Sequence, residues 1–85
     1  MNMDLKRLQI RIRYCATCNH EPHALAVLER VLKYKMALSE VILEPVEGGV
    51  FEVLANGKLI ASRTEESGFP GTEEVLTAIR KARSG

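Results

Sequence analysis

Reactive chemistry in this chain is concentrated in one short segment, Cys15-Ala16-Thr17-Cys18, which holds both of its cysteines. A thiolate attacks a disulfide, and a neighbouring sulfur in the same motif can then displace the mixed disulfide that forms. A purely structural role fits less well. Small secreted domains stapled by disulfides carry more cysteines than this and bridge distant segments. A bridge across Ala16 and Thr17 alone closes too short a loop to restrain the unfolded chain much. Redox chemistry is therefore the favoured reading of Cys15 and Cys18.

Two other readings stay open at this stage. Cys15, Cys18, His20 and His23 place four potential zinc ligands within nine residues. A zinc module usually sets its second ligand pair about a dozen or more residues away, so that the metal ties two elements together. The bland alternative is a pair of inert cysteines. The histidines otherwise read as surface residues near a helix start, where one of them could tune the thiolate.

The surrounding elements must place that motif. Leu8, Ile10, Ile12 and Tyr14 alternate with Arg7, Gln9, Arg11 and Arg13, the period of a strand with one polar face. From Pro22 to about Met36 the spacing turns helical, with Leu25, Leu28 and Leu32 on one face, Val27 and Val31 beside them, and Asn19 as the expected cap. A short strand is expected over Glu40–Glu44, followed by a loop at Pro45 and Gly48-Gly49. Val50–Ala55 and Leu59–Arg63 flank Asn56-Gly57, which is a strong type I′ hairpin signal because both turn residues need positive φ. The last helix opens at Thr72 as N-cap, buries Val75, Leu76, Ile79 and Ala82, and ends in Arg80, Lys81 and Arg83.

The order is β-α-β-β-β-α. A helix between the first two strands makes them parallel, whereas the hairpin is antiparallel. The expected fold is a single α/β domain over residues 1–85, with an ordered core over about 7–83. It is a thioredoxin-like two-layer sandwich with a mixed four-stranded sheet. The cysteines then fall between a strand and the start of a helix, where unpaired N–H groups favour a thiolate. Thiol pKa values there can fall from about 8.5 to between roughly 3.5 and 7.5. Cys15, at the strand end, is expected to be the more exposed and the attacking thiol. Cys18, expected inside the first helical turn, is the resolving one.

Composition narrows the function further. Twelve basic and eleven acidic residues leave a net charge of +1, which argues against a nucleic-acid partner. Apolar runs last only a few residues, as in Val41-Ile42-Leu43, far short of the roughly 20 that span a bilayer. Met1–Arg7 has no apolar stretch that reads as a signal peptide, so a soluble, cytoplasmic protein without membrane association is expected.

Several segments together carry a more specific signal: Ile12-Arg13-Tyr14-Cys15-Ala16-Thr17-Cys18, Gly49-Val50-Phe51-Glu52-Val53, Asn56-Gly57-Lys58-Leu59-Ile60 with Ser62, and Gly68-Phe69-Pro70. They resemble the Rdx family of selenoprotein W-like proteins, and the resemblance runs from Leu8 to Ala82. It implies a thiol-based oxidoreductase or redox-responsive protein acting on protein or glutathione thiols and disulfides. No cofactor is expected beyond glutathione as a redox partner. Selenium-containing members carry selenocysteine at the position of Cys18, and this chain has sulfur at both. Thioredoxins also place a cis-proline before the first hairpin strand, whereas here Gly49 or Val50 holds that place and Pro45 lies upstream. Gly48 and Gly49 leave room there for a peptide or glutathione backbone, or form a plain turn.

The competing function class is an interaction module whose cysteine pair only reports redox state; the lesser one is a zinc module. No helix fits between the second strand and the hairpin, so both helices should cover one sheet face. Gln9, Arg11 and Arg13 would lie on the other, with Glu52, Leu54 and Ile60, and Glu52 would pair with Arg11 or Arg13. That open face is the expected surface for a homodimer or a protein partner. Gly68-Phe69-Pro70 is expected to be a structural wedge near the motif rather than a catalytic element.

Overall fold

The computed structural model describes residues 8–34, 38–64, 66 and 68–84. Its elements are β1 (Leu8–Cys15), α1 (Glu21–Tyr34), β2 (Leu38–Val46), β3 (Phe51–Ala55), β4 (Lys58–Ser62) and α2 (Thr72–Ser84). One sheet runs β2-β1-β3-β4, with β1 parallel to β2 and antiparallel to β3. This is the expected mixed sheet in a thioredoxin-like α/β fold. Among the described residues, no helix is long and apolar enough to cross a membrane.

Leu8, Ile10 and Ile12 are buried on one side of β1, where they join Phe51 and Val53 of β3 and Val75, Leu76 and Ile79 of α2. Both helices lie on that side, α1 against β1 and α2 against β3 and β4. The hairpin forms as expected, with Asn56 at φ 52° and Gly57 at φ 85°. Asn56 also fastens the turn to β1: its N–H donates to the Gln9 carbonyl, and its Oδ1 accepts the Gln9 N–H, both at 2.8 Å.

Several boundaries differ from the sequence expectation. β2 extends beyond Glu40–Glu44 in both directions and passes through Pro45. An edge strand tolerates proline because one row of its backbone groups has no ladder partner. The His20 carbonyl accepts the N–H groups of His23 and Ala24, so His20, not Asn19, is the residue from which α1 grows. Asn19 takes φ 63° in the turn before it. At α2 the cap is Gly71, not Thr72. The Gly71 carbonyl accepts from Val75, and Glu74 reaches back to the Gly71 N–H, the reciprocal half of a capping box. The expected extension of α1 to Met36, together with Arg7, falls outside the described residues.

The buried stripe of α1 is rotated from the leucine face. Ala24, Val27 and Val31 are buried, Leu28 is half-buried, and Leu25 and Leu32 are 48% and 55% exposed. Arg30, on the flank of the helix facing α2, pairs with Glu73, and Leu25 and Leu32 lie on the other flank.

The opposite sheet face is open and carries its charges in pairs. Arg11 bonds Glu44 at 2.8 Å, Arg13 bonds Glu52 at 2.8 Å, and Gln9 donates to Glu40 at 2.9 Å. Glu44 also lies 3.7 Å from Arg13, so one carboxylate bridges two arginines on β1. Ile60 is the exception to the expected face. The β3–β4 ladder shifts register between Val53 and Leu54: Leu54 faces Leu59, and Val53 faces Ala61. Ile60 is the extra residue of this bulge and turns onto the core with Ala61. A double-mutant cycle on Arg13 and Glu52 should return a coupling of about 0.2–1 kcal/mol, because the pair is partly exposed. The coupling should shrink in about 1 M salt, which cuts the Debye length to about 3 Å, and chemical denaturation with urea would measure both values.

Candidate redox site

β1 delivers Cys15 as its last residue, paired in the ladder with Val46. The chain then leaves the sheet in a turn over Ala16–Asn19. That turn is pinned by the Ala16 N–H to the Val46 carbonyl at 3.0 Å and by the His20 N–H to the Cys15 carbonyl at 3.2 Å. The left-handed Asn19 redirects the backbone into α1. Cys15 and Cys18 form a disulfide with Cα atoms 5.3 Å apart, inside the usual range for such bonds. Thr17 brings its hydroxyl to 3.4 Å from the Cys15 sulfur.

Exposure is the reverse of the expectation. Cys15 is fully buried at 0%, whereas Cys18 stands exposed on the turn with Ala16, Thr17 and Asn19. The reason is where α1 begins. Its first residue is Glu21, so Cys18 precedes the helix instead of sitting in its first turn. Cys15 starts within the sheet layer and is covered by the turn that follows it.

The histidines and the Gly68-Phe69-Pro70 segment form an aromatic layer beside this turn. His23 stacks on Phe69 with ring centres 3.6 Å apart and planes 5° from parallel. His20 meets the same ring edge-on at 4.9 Å, and Phe51 does so at 5.3 Å. The Arg63 guanidinium lies 5.5 Å from the Phe69 centroid, on the scale of a cation–π contact. His20 Nδ1 is 3.5 Å from the Val50 carbonyl, which links the start of α1 to the residue before β3. Phe69 is half-buried, because it packs on the helix start instead of within the two layers.

Both imidazoles are therefore engaged in ring packing, and both sulfurs are in a disulfide. Among the described residues, no three His, Cys, Asp or Glu side chains converge as a metal-binding group. Gly48 and Gly49 have φ 88° and 72°, so this loop needs glycine for its backbone conformation. A Cβ at either position would meet nothing within 4 Å.

The cysteine pair and its strand-to-helix setting were legible in the sequence. The stack of His23 on Phe69, the Arg63 contact and the approach of Thr17 to the Cys15 sulfur were not. The only local signal for them was the Gly68-Phe69-Pro70 punctuation, which marks a tight segment without naming its contacts.

Comparison with known proteins supplies a wider frame. A model described as the Rdx family matches residues 9–81. Migration and invasion enhancer 1 from Bos taurus is 32% identical over 80 residues, covering 92% of this chain and 67% of that protein; the Mus musculus protein of the same name gives the same figures. The crystal structure of a selenoprotein W-related protein from Vibrio cholerae superposes with a TM-score of 0.83 at 31% identity, covering 91% of this chain and 98% of that one. A crystal structure from Bordetella parapertussis gives a TM-score of 0.81 at 29% identity, covering 91% and 99% of the two chains.

Proposed function

The chain belongs to the Rdx family by the match over residues 9–81, and on that basis we propose that it is a thiol–disulfide oxidoreductase in which Cys18 attacks and Cys15 resolves. One observation carries this reading: a buried Cys15 bonded to an exposed Cys18 on a turn ahead of α1. Only Cys18 presents a sulfur to a partner, while Cys15 lies close enough to displace that partner afterwards.

In the reduced protein, the Cys18 thiolate attacks one sulfur of a substrate disulfide. The substrate S–S bond breaks, its second sulfur leaves as a thiolate and takes a proton from water, and Cys18 is left in a mixed disulfide. The Cys15 thiolate then attacks the Cys18 sulfur. The intramolecular disulfide forms, and the remaining substrate thiol is released. Two electrons have passed from the cysteine pair to the substrate, and an external thiol must return them. Glutathione or a protein dithiol has the chemistry to do so.

In this reading the Cys18 thiolate forms just ahead of α1, whose positive N-terminal end favours a negative charge nearby. The aromatic layer holds that helix start in place. Incubation with a model aromatic disulfide, glutathione, glutathione reductase and NADPH, with the rate read above that without the protein, tests the proposal. Many turnovers per protein molecule are expected. A single stoichiometric cycle would overturn the catalytic reading and leave a redox-responsive binding protein.

A further inference from the structure

Cys15 is the buried member of the pair, and burial makes a charged sulfur costly. It has no accessible surface, and its pairing with Val46 holds it between β1 and β2. Low-dielectric surroundings favour the neutral thiol over the thiolate. Thiol–disulfide exchange nevertheless needs the thiolate of this sulfur in both directions. When an external thiolate attacks Cys18 of the oxidised protein, the Cys15–Cys18 bond breaks and Cys15 leaves with the electron pair. When Cys15 resolves a mixed disulfide on Cys18, it attacks with that same pair. Some group must therefore meet its charge.

Among the described residues, one hydrogen-bonding group does so: the Thr17 hydroxyl, 3.4 Å from the Cys15 sulfur. In the disulfide that sulfur carries no proton, so the hydroxyl is the donor. The ionisable groups around the turn are engaged elsewhere or point to water. His20 Nδ1 lies 3.5 Å from the Val50 carbonyl, His23 stacks on Phe69, and Arg13 is paired with Glu52 and Glu44. Tyr14 packs against the core, and Glu21 and Glu47 are exposed. Ala16, the other residue between the cysteines, has no side-chain donor.

We infer that Thr17 is a positioning residue for the resolving sulfur: its hydroxyl donates to Cys15 and stabilises the thiolate as it leaves Cys18 or returns to it. A hydrogen bond to an anion is about twice as strong as one to a neutral partner, so the hydroxyl favours the charged state of the sulfur. This inference rests on the exchange reading above and adds to it a residue outside the cysteine pair.

The test isolates Cys15 in a Cys18→Ala protein, because alanine adds no competing hydroxyl, and follows thiolate formation by ultraviolet absorbance as the pH is raised. Thr17→Val keeps the shape of the side chain and loses the hydroxyl. Asn19 is the non-glycine residue of this turn with positive φ, so a β-branched side chain at position 17 fits the backbone as threonine does. Cys15 should titrate about one to two pH units higher with valine than with threonine, and Thr17→Ser should restore the value seen with threonine. Should Thr17→Val not fold, Thr17→Ala makes the same comparison. With both cysteines present, a glutathione adduct on Cys18 should resolve about threefold to tenfold more slowly in Thr17→Val near neutral pH. The loss of thiolate is partly offset by the greater nucleophilicity of a more basic sulfur. Rapid quenching and mass measurement read that rate. An unshifted titration, a shift that serine does not reverse, or an unchanged resolving rate would each overturn the inference. The titration involves no turnover, so its outcome is separate from that of the glutathione assay, where a single stoichiometric cycle overturns the catalytic reading alone.

Discussion

The Cys15→Ser protein should trap a stable mixed disulfide on Cys18, while the Cys18→Ser protein should trap almost none on Cys15. Cys18 stands on an exposed turn, whereas Cys15 has no accessible surface and is held in the β1–β2 ladder by its pairing with Val46. Attack on an incoming disulfide needs the sulfur to approach in line with the S–S bond, which Cys15 can do only after local opening. If that opening costs about 3 kcal/mol, capture at Cys15 is about 100-fold slower than at Cys18. In the Cys15→Ser protein nothing displaces the partner, so the adduct accumulates. Mass measurement after a brief exposure to oxidised glutathione reads both variants directly. Rapid adduct formation on Cys15 with little on Cys18 would reverse the assigned roles.

Phe51→Ala should be the most destabilising single change near the site, at about 3–5 kcal/mol. Phe51 is 2% exposed and opens β3 opposite Tyr14 of β1. Its ring meets Phe69 at 5.3 Å and His23 at 6.4 Å, so its removal leaves a cavity under both the sheet and the aromatic layer. For a domain of this size the loss corresponds to a fall in Tm of roughly 15–30 °C. Phe69→Ala should cost less, about 1–2 kcal/mol, because that ring is only half-buried. The two rings should show a coupling of about 0.5–1.5 kcal/mol in a double-mutant cycle, as edge-to-face pairs do. Urea unfolding of the oxidised proteins measures all three values. A Phe69→Ala protein with unchanged stability but lost thiol reactivity would place that ring in the substrate site instead.

What the sequence by itself determined is what short-range periodicity and residue type can encode. Alternation from Leu8 to Tyr14 specified a strand with one polar face, and Asn56-Gly57 specified the hairpin, because only positive-φ residues fit that turn. Val75, Leu76, Ile79 and Ala82 marked the inward stripe of α2, and Cys15 with Cys18 marked the reactive turn. Strand parity put Glu52 on the face of Arg11 and Arg13, and the β1–β3 register decided that Arg13 is its partner. The tertiary structure decided everything that depends on residues distant along the chain. The buried face of α1 was set by its packing against β1 and the shared core, where alanine and valine lie in place of the leucines expected there. The side on which Ile60 lies was set by a bulge, and a one-residue shift reverses a strand's faces without leaving a trace in its periodicity. Exposure of Cys18 over Cys15 was decided in the same way. It depends on where the first helical hydrogen bond forms, at His20 and not earlier, and on which residue the sheet covers, and neither is a property of the Cys15–Cys18 segment alone.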